Sequence, residues 1–138
     1  MGQYIVHSKL RNIGAQVDQQ TGQHRFISDE PISGHGTDAG PNPVQYLLSS
    51  IGGCLAITAN DVARKNDELE LKKFDVKTSG TTTNFQDGGS AVTKIKVHVE
   101  LETNLSDSDQ KVFMSRVLKG CTVHNTLKNA VPIELTIN

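Results

Sequence analysis

The stretch from Gly40 to Asn66, reading GPNPVQYLLSSIGGCLAITANDVARKN, constrains this chain more than any other. Asn42 reads as an N-cap, and Pro43 stands at the first helical position, where its missing N–H costs nothing. Val44, Leu47, Leu48, Ile51, Leu55, Ala59 and Val62 then recur at three- and four-residue spacings, which makes one continuous apolar stripe. Gln45, Ser49, Ala56 and Asn60 fall on the other side. The spacing predicts a long amphipathic helix, so the rest of the chain must supply something to cover its stripe. Cys54, one of only two cysteines, lies on the flank of that stripe, where a sulfur is shielded yet reachable. Gly52 and Gly53 precede it, each costing roughly 1 kcal/mol against Ala inside a helix. Such a pair calls for close approach of another backbone, and a partner helix would fit.

The flanking segments read as short strands and helices. Residues 3–10 alternate loosely and predict a strand, broken at Asn12, Ile13 and Gly14; Thr21 and Gly22 mark a second turn. Residues 23–28 predict the next strand. The loop ISGHGTDAGPNP follows, too rich in glycine and proline for regular structure. It lacks the Lys-Ser/Thr ending of a P-loop and the spaced glycines of a dinucleotide fingerprint, so it is no phosphate cradle. After the central helix, residues 69–83 predict a strand and Asp87-Gly88-Gly89 a hairpin turn. Residues 91–103 give the clearest strand: Ile95, Val97, Val99 and Leu101 face one way, and Lys94, Lys96, His98 and Glu100 the other. Ser106 caps a further helix with Asp107 and Asp109 in its first turn, Val112, Phe113 and Val117 on its buried face, and Gly120 as its stop. Residues 121–129 predict a short helix and 132–137 a final strand. The order β-β-α-β-β-α-α-β predicts an α+β fold in one domain spanning residues 1–138, with hairpins alternating with helices that cover one sheet face.

Composition narrows the function classes. Only 36% of the 138 residues are hydrophobic, 4% are aromatic and Trp is absent, so a subunit interface is expected to supply part of the burial. A formal net charge of -1 gives no global field for nucleic acid or an anionic membrane. No run approaches the ~20 apolar residues of a transmembrane helix. The N-terminal residues show no secretory pattern, so the expected compartment is the cytoplasm, where cysteines are reduced, catalytic or inert.

The chemistry therefore falls to the two sulfurs. A thiol reacts as its thiolate, and a helix N-terminus or a nearby cation favours that form. Cys121 opens the short helical pattern CTVHNTLKN, so its ionisation should be favoured; Cys54, in mid-helix, needs an Arg, Lys or His from elsewhere. The plain alternative for each sulfur is a small buried hydrophobe. Cys121 and His124 have ligand-like spacing and Cys54 would be a third ligand, but the paired knuckles of a structural zinc site are missing. No G-x-S-x-G elbow and no H-E-x-x-H helix occurs, and His35 reads as a solvated loop residue.

GPNPVQYLLSSIGGCLAIT together with CTVHNTLKNAVPIELTI resembles the OsmC/Ohr family, the osmotically inducible and organic-hydroperoxide-resistance proteins, over nearly the whole chain. The resemblance implies antiparallel sheets around the long central helix, in an intertwined homodimer with that helix at its centre. It implies thiol-dependent reduction of organic hydroperoxides in oxidative stress defence, with Cys54 attacking the peroxide and Cys121 resolving the sulfenic acid to a disulfide. A dithiol reductant would restore the pair, and no metal or organic cofactor is called for. Family members set an Arg from the early hairpin against the thiolate, which makes Arg11 and Arg25 the candidates here. They also hold that Arg with a Glu ten residues before the first cysteine, a position occupied by Val44 in this chain, with Gln45 beside it. The rival reading is a non-enzymatic dimer of the same fold that binds a small apolar ligand or senses redox state.

Overall fold

A computed structural model describes residues 2–138. The chain separates into two compact units, residues 1–47 and 48–138, with the division falling inside the long helix.

The first unit holds a three-stranded antiparallel meander of β1 (His7–Leu10), β2 (Val17–Thr21) and β3 (His24–Ser28), in the order β1-β2-β3. The first strand is shorter than the 3–10 expected from sequence, and β2 was not anticipated at all. Its sequence, VDQQT, shows no apolar alternation. It is a strand because it is the middle one, bonded on both edges, and because Gln19 bonds Ser8 on one neighbour and Ser28 on the other. The turn that the sequence marks at Thr21 and Gly22 is made by Gly22, at φ 56°, and Gln23, with Thr21 paired to His24.

The loop after β3 is ordered around one carboxylate. Asp29 is almost fully buried and accepts the N–H groups of Glu30 (2.8 Å), Thr37 (3.1 Å) and Ala39 (3.0 Å) and the Thr37 hydroxyl (2.6 Å). The Thr37 hydroxyl leads in holding the Asp29 pKa down at about 2; burial opposes it, and the N–H groups of Ala39, Glu30 and Thr37 reinforce it. A 3-10 turn at Ile32–Gly34 departs from the irregular loop expected there. Gly36 is obligatory: a Cβ there would stand 1.9 Å from the Glu30 carbonyl oxygen.

The long helix α1 (Pro43–Arg64) begins with a reciprocal cap. The Gln45 N–H donates to the Asn42 side chain (2.9 Å), and the Asn42 N–H donates to the Gln45 side chain (2.8 Å). Tyr46 reaches back to donate to the Ile27 carbonyl (2.6 Å) and packs its ring against Phe26 at 5.2 Å.

The second unit holds the core. Strands β4 (Leu71–Asn84) and β5 (Ser90–Thr103) form the expected hairpin, turning through Gly88 at φ 89°, and β6 (Ile133–Ile137) pairs parallel to β5. The alternation of β5 is observed as read: Ile95, Val97, Val99 and Leu101 are buried. They meet Ile51, Leu55 and Ala59 of α1 and Phe113, Met114 and Val117 of α2 (Asp107–Gly120). The Ser106 side chain caps α2 through the Asp109 N–H (3.2 Å), as expected. The buried face of α2 differs by one position from the sequence reading: Met114 is buried where Val112, half exposed, had been expected. Gly52 is explained by β4 of the same chain, since a Cβ there would lie 3.3 Å from Thr78 Oγ1 and 3.6 Å from Val76, whereas Gly53 has nothing within 4 Å. A six-residue helix, α3 (Thr122–Leu127), follows α2 directly. Among the described residues, no helix is long and apolar enough to cross a membrane.

Candidate active site

Cys54 and Cys121 meet in the second unit. Cys54 is half-buried on α1. Cys121 is fully buried and is the single residue between two helices, the C-cap of α2 and the N-cap of α3, in extended conformation (φ -80°, ψ 100°). Its N–H donates to the Leu118 carbonyl (3.3 Å), and its carbonyl receives the Asn125 N–H (3.0 Å). The Asn125 side chain also donates to the Lys119 carbonyl (2.9 Å), which ties the corner from both sides.

Gly120 lets this corner approach α1. A Cβ there would stand 3.0 Å from the Thr58 methyl, and Thr58 lies one helical turn beyond Cys54. The Thr58 hydroxyl is 2.7 Å from the Cys54 carbonyl and also lies against the Cys54 sulfur. A glycine at the end of α2 thus serves two ends: it stops the helix, and it brings Cys121 and the first turn of α3 against Cys54.

The environment divides the two thiols. Burial of Cys54 disfavours its charge, but four donors outweigh burial: the Val123 N–H, then the Cys121 thiol, the Thr58 hydroxyl and the Thr122 N–H. The Cys54 pKa lies below the ordinary thiol value. Burial acts first on Cys121 and, with the hydrogen bond to Cys54 and the charge there, pushes its pKa up to about 11 against the opposing N–H groups of His124 and Val123. The sequence had assigned the easier ionisation to Cys121, at a helix start, and none to Cys54; the structure reverses this. The first-turn N–H groups of α3 reach across to Cys54, and two sulfurs in contact hold a single negative charge, which settles on the less buried one.

Arg11 and Arg25 are exposed in the first unit. Arg11 donates to the Gln16 side chain (2.9 Å), whose amide donates to Thr37 (2.7 Å), so it joins the network around Asp29. Among the described residues, Arg25 contacts the Gln20 side chain at 3.5 Å. Gln45 is committed to the cap of α1, and Val44 is half-buried. Among the described residues, no three His, Cys, Asp or Glu side chains converge as a metal-ligand set. Sequence reading places Thr58 beside Cys54 but gives it no role, and it missed the Thr122 and Val123 N–H groups. Thr58 was legible from its i+4 spacing to Cys54, whereas the backbone donors needed the tertiary corner.

Residues 34–136 match the family described as OsmC-like protein. The hydroperoxide reductase of Mycoplasma pneumoniae is 30% identical over 103 residues, covering 74% of this chain and 72% of that one. The hydroperoxide reductase of Mycoplasma genitalium is 28% identical over 100 residues, covering 72% of this chain and 70% of the relative. Among solved structures, an OsmC-like protein from Mycoplasma pneumoniae superimposes with a TM-score of 0.86 at 25% identity, covering 99% of this chain and 96% of that one. An organic hydroperoxide resistance protein from Elizabethkingia anophelis shares the fold at a TM-score of 0.77 and 14% identity, covering 100% and 96%. The matched residues run from the loop before α1 to the last strand and include both cysteines, and the chain belongs to the OsmC-like protein family.

Proposed function

We propose that this chain is a thiol-dependent peroxidase that reduces organic hydroperoxides through Cys54 and Cys121. The observation that carries the reading is the division of the two thiols: one sulfur held toward its thiolate, the other kept as its hydrogen-bonding thiol. Two relatives that carry the name hydroperoxide reductase support it.

In this reading the Cys54 thiolate attacks the distal oxygen of a hydroperoxide. The O–O bond breaks, the alkoxide takes up a proton and leaves as an alcohol, and Cys54 becomes a sulfenic acid. Cys121 then attacks the Cys54 sulfur, the S–O bond breaks, and the hydroxyl leaves as water. The resulting disulfide is reduced by a dithiol through exchange. The Val123 and Thr122 N–H groups and the Thr58 hydroxyl orient and stabilise the attacking thiolate. Arg25, whose contact with Gln20 is long at 3.5 Å, supplies the further cation, and Arg11 is the second candidate. Ile57, two-thirds exposed on α1, and the open Gly53 mark the helix face along which two copies join as a homodimer. The test is turnover of cumene hydroperoxide with a dithiol, comparing the unaltered chain with Cys54→Ser. Turnover is expected to vanish in the variant, and equal rates would refute the reading. Arg25→Ala is expected to slow turnover more than Arg11→Ala.

A further inference from the structure

The disulfide of the peroxidase cycle has to be reopened, and the two sulfurs that form it stand in unequal surroundings. Thiol–disulfide exchange proceeds by attack of a thiolate on one sulfur, along the S–S axis, which expels the other. A reductant therefore attaches first to Cys54 or first to Cys121. Leaving-group strength favours attack on Cys121. Cys54 would then be expelled, and against its own burial its charge is favoured by four donors, led by the Val123 N–H. The thiol of lower pKa leaves faster.

Access favours the other sulfur. Cys121 is fully buried in the chain by itself and belongs to the core cluster with Leu55 and Val117, so a second subunit could only enclose it further. Its corner is fastened at several points. The Cys121 N–H donates to Leu118, the Asn125 N–H to the Cys121 carbonyl and the Asn125 side chain to the Lys119 carbonyl, while Gly120 lies against Thr58. Cys54 is half-buried, and the route that brings a peroxide to its sulfur also brings a thiolate. The two sulfurs are already in hydrogen-bond contact, so the disulfide forms with Cys121 still inside the corner. A poor leaving group slows a step, whereas an enclosed sulfur admits no approach along the S–S axis until the corner unfolds. Access therefore decides.

We propose that the enclosure of Cys121 makes Cys54 the sulfur to which the reductant, a small dithiol, becomes covalently attached. The proposal rests on the peroxidase reading above and adds to it the reductant's point of attachment. One thiolate of the dithiol attacks the Cys54 sulfur. The S–S bond breaks, and its electron pair leaves with Cys121, which takes up the proton that the attacking thiol gave away. A mixed disulfide now joins the reductant to Cys54. The second thiolate of the dithiol attacks the reductant's own sulfur in that bond, and Cys54 leaves as a thiolate onto the Val123 N–H, the Cys121 thiol, the Thr58 hydroxyl and the Thr122 N–H. The dithiol ends oxidised to its disulfide, and both cysteines end reduced. The poorer leaving group thus departs in the first step and the better one in the second.

For the test, the disulfide is made in the full chain with diamide, so that attachment is read whether or not a peroxide is the natural oxidant. The oxidised chain is mixed with 2-mercaptoethanol, a monothiol with no second thiol to clear its own adduct. Samples are quenched in acid over a time course, and peptide mass locates the adduct. Mercaptoethanol on Cys54 with Cys121 as the free thiol is expected to exceed the reverse arrangement by roughly tenfold or more from the earliest time, because exchange follows access. In concentrated urea, where the corner is unfolded, that preference should disappear. An adduct on Cys121, equal adducts on both sulfurs, absence of an adduct on Cys54, or a preference that survives in urea would overturn the proposal. Failure of cumene hydroperoxide to oxidise the pair, with the diamide-made disulfide behaving as expected, would overturn the peroxidase reading alone.

Discussion

Removing the Cys121 thiol should make Cys54 harder to ionise, although no charge is removed. In the structure the Cys121 thiol is the second of four donors that favour the Cys54 thiolate. A hydrogen bond to a charged group contributes about 1.5–3 kcal/mol, and a thiol is a weak donor, so the lower figure applies. About 1.4 kcal/mol is a factor of ten in an equilibrium constant, so Cys121→Ala should reduce the thiolate fraction of Cys54 roughly tenfold at a pH below its midpoint. Cys121→Ser keeps a donor and should lose less. The assay is the rate of iodoacetamide alkylation of Cys54 as a function of pH, read by peptide mass. The same coupling acts in reverse: in Cys54→Ala the Cys121 pKa should fall from about 11, because both contributions from Cys54 disappear while burial remains. An alkylation profile of Cys54 that is unchanged or moved to lower pH in Cys121→Ala would refute the claim that the two thiols share one charge.

Gly120→Ala places a methyl 3.0 Å from Thr58 and should destabilise the fold by about 1–3 kcal/mol, read by urea unfolding, while also slowing Cys54 alkylation as the corner moves off α1. The Asp29 carboxyl has a folded pKa of about 2 against an ordinary 3.8, so its contribution to stability is complete above the ordinary value and is lost as pH falls from about 4 toward 2. Thermal melts across that window should show the loss in the unaltered chain, and Asp29→Asn should remove this share of the acid dependence. Leu55→Ala, at a fully buried position of α1, should cost about 2–5 kcal/mol in the same unfolding assay.

Much of the fold was legible wherever burial imposes a period. The alternation of β5 and the stripe of α1 were read correctly because one face of each meets the core. The Ser106 cap of α2 was legible because it is local chemistry. The middle strand β2 was not, because its side chains are satisfied by cross-strand polar bonds that leave no apolar alternation. Val112 and Met114 project about 200° apart on α2, and which of them is buried is set by what the helix packs against. Both cysteines were singled out from sequence, yet their charge assignment was reversed. A helix start is visible in the sequence, but the burial of Cys121 and the reach of the Val123 N–H to Cys54 exist only once the chain has turned at Gly120. Gln45, beside the position where a charged partner was sought, proved to be half of a capping pair.

Peptide mapping after a single equivalent of cumene hydroperoxide, without reductant, reads most directly whether the two sulfurs act as a pair. One linked peptide pair is expected, joining Cys54 to Cys121, that a dithiol separates again. Cys54 left unmodified, or oxidised with no link to Cys121, would contradict it.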